Sequence, residues 1–238
     1  MTSAASATRE TRIRYHDRMS AAQRTVPSGR GLLLTAMAAG LTTVGIAVLD
    51  APVASLSYRL VRANPLLDRY VSRIPDTLLG VVVLVTAVCW TAYSVLARKG
   101  VHDVRTEFLR VCGSVAPVAF AAKTLLQWAF GRSDAVAWVL YRELPRFHWF
   151  HWGPRLGSFP SGHMTVFTAL AAAVWLHYPR YRPFCVGFLV ALGAALVLTT
   201  YHFPSDVIAG AYLGAVACLL IRRGIEGAVP AADPEPGR

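Results

Sequence analysis

Two histidines and an aspartate stand where apolar segments begin or end, and their neighbours have the chemistry of a phosphate site. Pro160-Ser161-Gly162-His163 directly precedes an apolar run that starts at Met164. Proline and serine fix the first turn of a helix and glycine lets a ligand approach the backbone amides, so the tetrapeptide reads as an anion-binding helix N-terminus with His163 aimed at the anion. The plainer alternative is a Ser161 N-cap beside an incidental histidine. The second cluster is Tyr201-His202-Phe203-Pro204-Ser205-Asp206. His202 and Asp206 can meet across one turn, where the carboxylate fixes the imidazole tautomer, favours its protonated or phosphorylated form and leaves one ring nitrogen free to attack. Here the alternative is an interfacial histidine followed by Ser205 and Asp206 as helix caps.

Lys123, inside an otherwise apolar segment, and Gly131-Arg132 form the third cluster. A lysine near a helix end can simply snorkel to the interface, and Arg132 can be an ordinary loop charge. Placed beside a helix N-terminus, however, an ammonium and a guanidinium fork supply the positive field that holds a phosphoryl group while its charge spreads over its oxygens.

The elements that must carry these residues are membrane helices. Of the 238 residues 55% are hydrophobic and 16% charged, against about 25% charged in a soluble domain. Apolar stretches at 31–49, 77–97, 111–130, 159–178, 183–201 and 203–221 each approach the ~20 residues of a spanning helix. The expected fold is therefore all-α, an integral membrane bundle of about six transmembrane helices over residues 31–223, preceded by a basic tail at 1–30 and followed by a disordered, proline-containing tail at 224–238. The N-terminal tail has no apolar core followed by a small-residue cleavage site, so the first span reads as a permanent anchor.

The formal charge of +11 would suggest nucleic acid in a soluble protein, but here the basic residues sort by loop. Arg9 to Arg30, then Arg98, Lys99 and Arg105, then Arg180 and Arg182, and finally Arg222 and Arg223 are assigned to the cytoplasm by the positive-inside rule, with both termini inside. Arg59, Arg62, Arg69 and Arg73 run against that rule in the expected first loop, alongside Asp50, Asp68 and Asp76. On this topology loop 131–160 and junction 201–206 share the outer face with the end of the span carrying Lys123. Cys89, Cys112, Cys185 and Cys218 all fall in apolar segments without a CxxC pair, so neither a disulfide framework nor a zinc site is expected.

Taken together and in order, these clusters resemble the type 2 phosphatidic acid phosphatase (PAP2) superfamily over residues 120–215. Its PSGH motif matches Pro160 to His163, and the H-x3-D of its third motif matches His202 to Asp206. The resemblance implies that His202 is the nucleophile forming a phosphohistidine, that Asp206 orients it, and that His163 protonates the leaving alkoxide. It further implies that Ser161 and Gly162 help bind the phosphate along with Lys123 and Arg132, and that no metal or other cofactor takes part. Two departures stand out. Leu196 occupies the place of the third-motif arginine, for which Arg155 is a candidate substitute. In the first motif Phe130-Gly131-Arg132 looks familiar, but Gln127 stands where a lysine is expected, Lys123 lies one turn earlier, and Ser133-Asp134 replaces the proline.

The expected function is a lipid phosphomonoesterase or diphosphatase of the inner membrane, acting at the outer face on a lipid phosphate, with membrane lipids but no nucleic acid as partners. A lipid phosphotransferase and a non-catalytic membrane protein with a decayed site are the alternatives. The aromatic and basic residues between Gly131 and Pro160, among them Trp138, Phe147, Trp149 and Phe150, read either as an interfacial belt or as the lipid entrance.

Overall fold

The computed structural model describes residues 28–63, 77–141, 147–151, 153 and 156–227. Most of the basic tail, the last eleven residues, the charges Asp68, Arg69, Arg73 and Asp76, and Arg155 therefore lie outside the described residues. Helices dominate: α1 (Ser28–Val44), a π turn (Gly45–Leu49), α2 (Asp50–Arg62), α3 (Leu78–Arg98), α4 (Val104–Phe130), α5 (Ala135–Tyr141), α6 (Gly162–His177), α7 (Arg182–Leu198) and α8 (Pro204–Gly227). Two isolated antiparallel bridges, Arg132 with Phe147 and Ser133 with Leu156, are the β contacts among the described residues. The chain divides into two compact units, Met1–Gly40 and Leu41–Arg238. The described part of the first is helical, with Leu32, Leu33, Leu34 and Met37 exposed.

Five helices are long and apolar enough to cross a membrane: Gly31–Val61, Leu78–Arg98, Val104–Phe130, Pro179–Leu198 and Pro204–Glu226. The fourth expected span, 159–178, corresponds to α6, whose 16 residues are only about 24 Å long at 1.5 Å per residue, short of the bilayer's ~30 Å core. Outward positions carry the apolar surface that lipid requires, with Leu84 of α3, Leu125 of α4, Val190 of α7 and Leu220 of α8 all exposed. The protein is a multi-pass membrane protein.

The first expected loop needs correction. Asp50, Arg59 and Arg62 do not lie in a loop, because the first helix continues through the π turn to Arg62. A single Asp50 breaks the apolar run in the sequence, yet its side chain is fully buried and its charge is met inside the protein. Other boundaries move for related reasons. Helix α4 starts at Val104 and not at 111, since Asp103 and Thr106 form a capping box: Asp103 Oδ1 accepts from the Arg105 and Thr106 amides, and Thr106 Oγ1 accepts from the Asp103 amide. Helix α8 continues to Gly227, beyond the end expected at Arg223.

The core is built by Val111, Val115, Ala116 and Ala119 of α4, Val166, Ala169 and Ala173 of α6, and Ala217 and Cys218 of α8, closed by Leu78 and Val82 of α3. Small residues let α8 lie directly on α6. A Cβ on Gly210 would sit 2.6 Å from the Ser161 carbonyl oxygen, and one on Gly214 would sit 2.2 Å from that of Thr165. This is the small-xxx-small contact by which helices approach within a membrane. It brings the start of α6, which bears His163, against the start of α8, which bears Asp206.

Candidate active site

Three backbone ties assemble the motifs. Ser161 N donates to the Asp206 carbonyl at 3.0 Å, joining the start of α6 to that of α8. Gly157 N and Ser158 N donate to the Arg132 carbonyl at 2.8 and 3.0 Å, joining the loop before α6 to the end of α4. The α4 terminus is set by Gly131 in the left-handed region (φ 52°), where any Cβ would meet the His148 carbonyl at 2.0 Å.

Asp206 is buried with 0% exposure and both its oxygens are engaged. Its Oδ1 accepts from Arg132 Nη1 at 2.6 Å. Its Oδ2 accepts from the Phe203 amide at 3.0 Å and from the Ser158 hydroxyl. His202 Nδ1 lies 3.6 Å from that Oδ2 and 3.4 Å from Ser158 Oγ. Because the Ser158 hydroxyl donates its proton to Asp206, its oxygen is left as an acceptor for a proton carried on His202 Nδ1. The imidazole is thereby oriented with Nδ1 toward carboxylate and hydroxyl and Nε2 as the nitrogen left for chemistry. His202 and Asp206 meet as their spacing suggested. Ser158 is a site residue that sequence reasoning missed, although its position just before Phe159-Pro160-Ser161-Gly162-His163 was a signal.

Arg132 is also wholly buried, and the geometry is unlike that of an open phosphate ligand. Nη1 donates to Asp206 Oδ1 and to Ser205 Oγ at 2.7 Å, while Nη2 donates to Asp50 Oδ2 at 2.6 Å. Its Cζ stands 4.4 Å from the centroid of the Phe203 ring and 5.3 Å from that of Phe147, a cation–π arrangement. Nε is buried and without a partner among the described residues. Asp50 was read from sequence as a loop charge. Its charge inside a long apolar helix was the available signal.

His163, 6% exposed, packs edge to face on the Tyr201 ring with centroids 5.7 Å apart, and the same ring meets His202 at 5.0 Å. Both imidazoles thus converge on Tyr201. Ser161 caps α6 through Oγ, which accepts from the Met164 amide at 3.4 Å. Lys123 lies across this helix start: a Cβ on Gly162 would be 3.2 Å from Lys123 Cδ. Lys123 Nζ donates to Gln127 Oε1 at 3.1 Å, and Gln127 Nε2 donates to the Pro160 carbonyl at 3.0 Å. Leu196, at the place of the missing arginine, is buried, and its carbonyl accepts from the Tyr201 and His202 amides.

A cavity of about 210 Å³ opens beside His202, lined also by Asp134, Val136, Leu156, Gly157, Ser158 and Tyr201. Asp134 caps the short helix α5 by accepting from the Ala137 amide at 2.5 Å. A larger cavity of about 300 Å³ between α3, α4, α6 and α7 is lined by apolar side chains and by the thiols of Cys89, Cys112 and Cys185, away from both histidines. Among the described residues no group of three His, Cys, Asp or Glu side chains converges as a metal site. Aromatic rings of the loop gather around Phe130, which meets Phe147, Trp149 and Phe159 at centroid distances of 5.9, 5.2 and 5.1 Å.

The chain is similar to several known proteins. The family described as the PAP2 superfamily matches residues 107–229, more than half of the chain. Two curated lipid A 1-phosphatases, from Rhizobium johnstonii and Rhizobium etli, are 48% and 46% identical over 63 residues, which make up 26% of this chain and 26% and 27% of theirs. The aligned segment thus spans about a quarter of the length of these curated relatives. A solved structure, the transmembrane PAP2 type phosphatidylglycerolphosphate phosphatase from Bacillus subtilis, is 20% identical with a TM-score of 0.45, covering 83% of this chain and 94% of that one.

Proposed function

The chain belongs to the PAP2 superfamily, and on that premise we propose that it is a membrane lipid phosphatase that hydrolyses a lipid phosphomonoester or diphosphate through a phosphohistidine on His202. The observation that carries the reading is the orientation of His202, whose Nδ1 faces Asp206 Oδ2 at 3.6 Å and Ser158 Oγ at 3.4 Å. That leaves Nε2 to attack.

In the first step Nε2 forms a bond to phosphorus as the bond from phosphorus to the lipid oxygen breaks, and His163 gives that oxygen its proton. In the second, water attacks phosphorus with His163 taking a proton from it, the N–P bond breaks and inorganic phosphate leaves. A covalent intermediate divides one difficult transfer into two easier ones. Asp206, held from its far side by Arg132, keeps the ring in the attacking tautomer and offsets the positive charge the ring acquires on phosphorylation. The amides at the start of α6, the Ser161–Gly162 turn, Lys123 and Arg132 supply the donors for phosphate oxygens. Arg155 is carried as a further phosphate ligand on sequence grounds alone. No step draws on a metal.

The site is assigned to the outer face of the inner membrane, with both termini in the cytoplasm, on the strength of the basic residues Arg98, Lys99, Arg105, Arg180, Arg182, Arg222 and Arg223 at the opposite helix ends. The names of the Rhizobium relatives make lipid A the first substrate to test. Purified full-length protein in detergent is given lipid A, phosphatidic acid, phosphatidylglycerol phosphate and a polyprenyl diphosphate, with and without chelator. Phosphate release from at least one, undiminished by chelator and abolished in His202→Ala, is the expected result. Release that persists in His202→Ala removes the mechanism.

A further inference from the structure

We propose that Asp50 is a positioning residue of the phosphoryl-transfer site, acting through Arg132 on Asp206 and His202. The assignment rests on the phosphohistidine reading above.

Asp50 enters from a remote part of the chain, 155 residues before Ser205, and is brought to the site by the π turn that precedes it. Gly45 in that turn lies against Ser205, where an added Cβ would be 3.0 Å from the serine Cβ. π turns within helices recur at functional sites because they re-aim the residues that follow. Asp50 is fully buried, and it accepts from Ser205 N at 3.1 Å, from Ser205 Oγ and from Arg132 Nη2 at 2.6 Å. Ser205 in turn accepts from Arg132 Nη1. One guanidinium is thus divided between two carboxylates, both with 0% side-chain exposure.

Counting charge gives this arrangement its meaning. Two aspartates and one arginine leave one formal negative charge, and a buried charge without a counter-charge is expensive. Among the described residues, the neighbouring group able to supply the missing positive charge is His202. When Nε2 of a neutral imidazole bonds to phosphorus while Nδ1 keeps its proton, the ring becomes cationic, 3.6 Å from Asp206 Oδ2. With the phosphoryl oxygens left to their own donors, the ring and the cluster are therefore one positive charge short before the reaction and balanced in the phosphoenzyme, which is stabilisation specific to the charge that develops on the ring. Without Asp50, the whole of Arg132's charge would rest on Asp206. The aspartate would be neutralised and drawn toward the arginine, away from His202.

A residue that acts in this way affects the chemical step more than binding. Asp50→Asn keeps the side-chain shape and removes the charge. In the purified full-length protein, with whichever lipid phosphate the wild type hydrolyses, kcat is expected to fall about a hundredfold, the scale of a ~1 Å misplacement of a reacting group, with KM nearly unchanged. Acid-quenched phosphoenzyme should form more slowly by the same factor. Asp50→Asn combined with Arg132→Met should cost no more than Arg132→Met alone, because the two act as one unit. The inference is overturned if folded Asp50→Asn has wild-type kcat, or if the two losses simply multiply. Should Asp50→Asn fail to fold, Ser205→Ala, which loosens Asp50 and Arg132 without removing a charge, decides the matter: a kcat loss at constant KM supports the inference and wild-type kcat overturns it. His202→Ala is run alongside. An active His202→Ala refutes the phosphohistidine reading itself, whereas an inactive His202→Ala beside a fully active Asp50→Asn refutes the role of Asp50 alone.

Discussion

Lys123 donates to Gln127 at 3.1 Å, so the glutamine at the expected lysine position is the partner of the lysine one turn before it. Gln127 passes the contact on to the Pro160 carbonyl at 3.0 Å, immediately ahead of the Ser161–Gly162 turn. The pair thus aims an ammonium at the start of α6 from a helix on which an isolated charge would be costly.

Removing the ammonium should therefore damage catalysis more than removing its support. Lys123→Met is expected to lower kcat/KM by at least about tenfold, and Gln127→Ala by less, both measured as phosphate release at several lipid concentrations. Wild-type kinetics for Lys123→Met would make Lys123 an interfacial anchor.

On the proposed mechanism the two histidines serve different moments of the same reaction. His202→Ala and His163→Ala should each reduce turnover by at least about 10² fold, the usual contribution of a proton-transfer group. They should differ in a quench experiment: His202→Ala can form no phosphoenzyme, whereas His163→Ala retains the nucleophile and forms it slowly. Equal labelling of the two variants would contradict these roles.

Helix contact at Gly214 gives a prediction about stability. Gly214→Leu drives a side chain into the Thr165 carbonyl and the Ala169 amide, and overpacking of this kind costs about 1–3 kcal/mol or more. A lower Tm in detergent is expected, together with lost activity because His163 and Asp206 no longer share a fixed frame. Gly224→Leu on the same helix, where nothing lies within 4 Å of the added Cβ, should leave Tm near wild type.

Topology is open to direct measurement. Reporters fused after Gly100 and after Arg180 should read as cytoplasmic, and one fused after Gly153 as external. A cytoplasmic signal from Gly153 would turn the site to the other lipid pool.

Much of the site was legible in the sequence because its chemistry depends on short spacings. His202 and Asp206 are four residues apart and approach to 3.6 Å, and Ser161 caps α6 as the plainer reading of its tetrapeptide has it. What could not be read depends on contacts distant in sequence. Asp50 ends an apolar run and so looks like a loop boundary, while its partner Arg132 is 82 residues away. For the same reason nothing in the sequence marks Arg132 as the link between two buried carboxylates. The apolar pattern located the helices but set their limits poorly: α4 begins before its apolar stretch because Asp103 and Thr106 cap it, and α5 is too short to leave a periodic trace.

The contact of Gly210 and Gly214 with the carbonyls of α6 also acts as a ruler. Where backbone rests on backbone, neither helix can slip by a residue, since each step turns a helix by about 100° and would swing a side chain into the carbonyl opposite. The rotational setting of both helices is therefore locked together with their separation. Differences in length between related chains should then be absorbed by the connection at Tyr178–Tyr181, because an insertion within α6 or the first turns of α8 would re-aim His163 relative to Asp206.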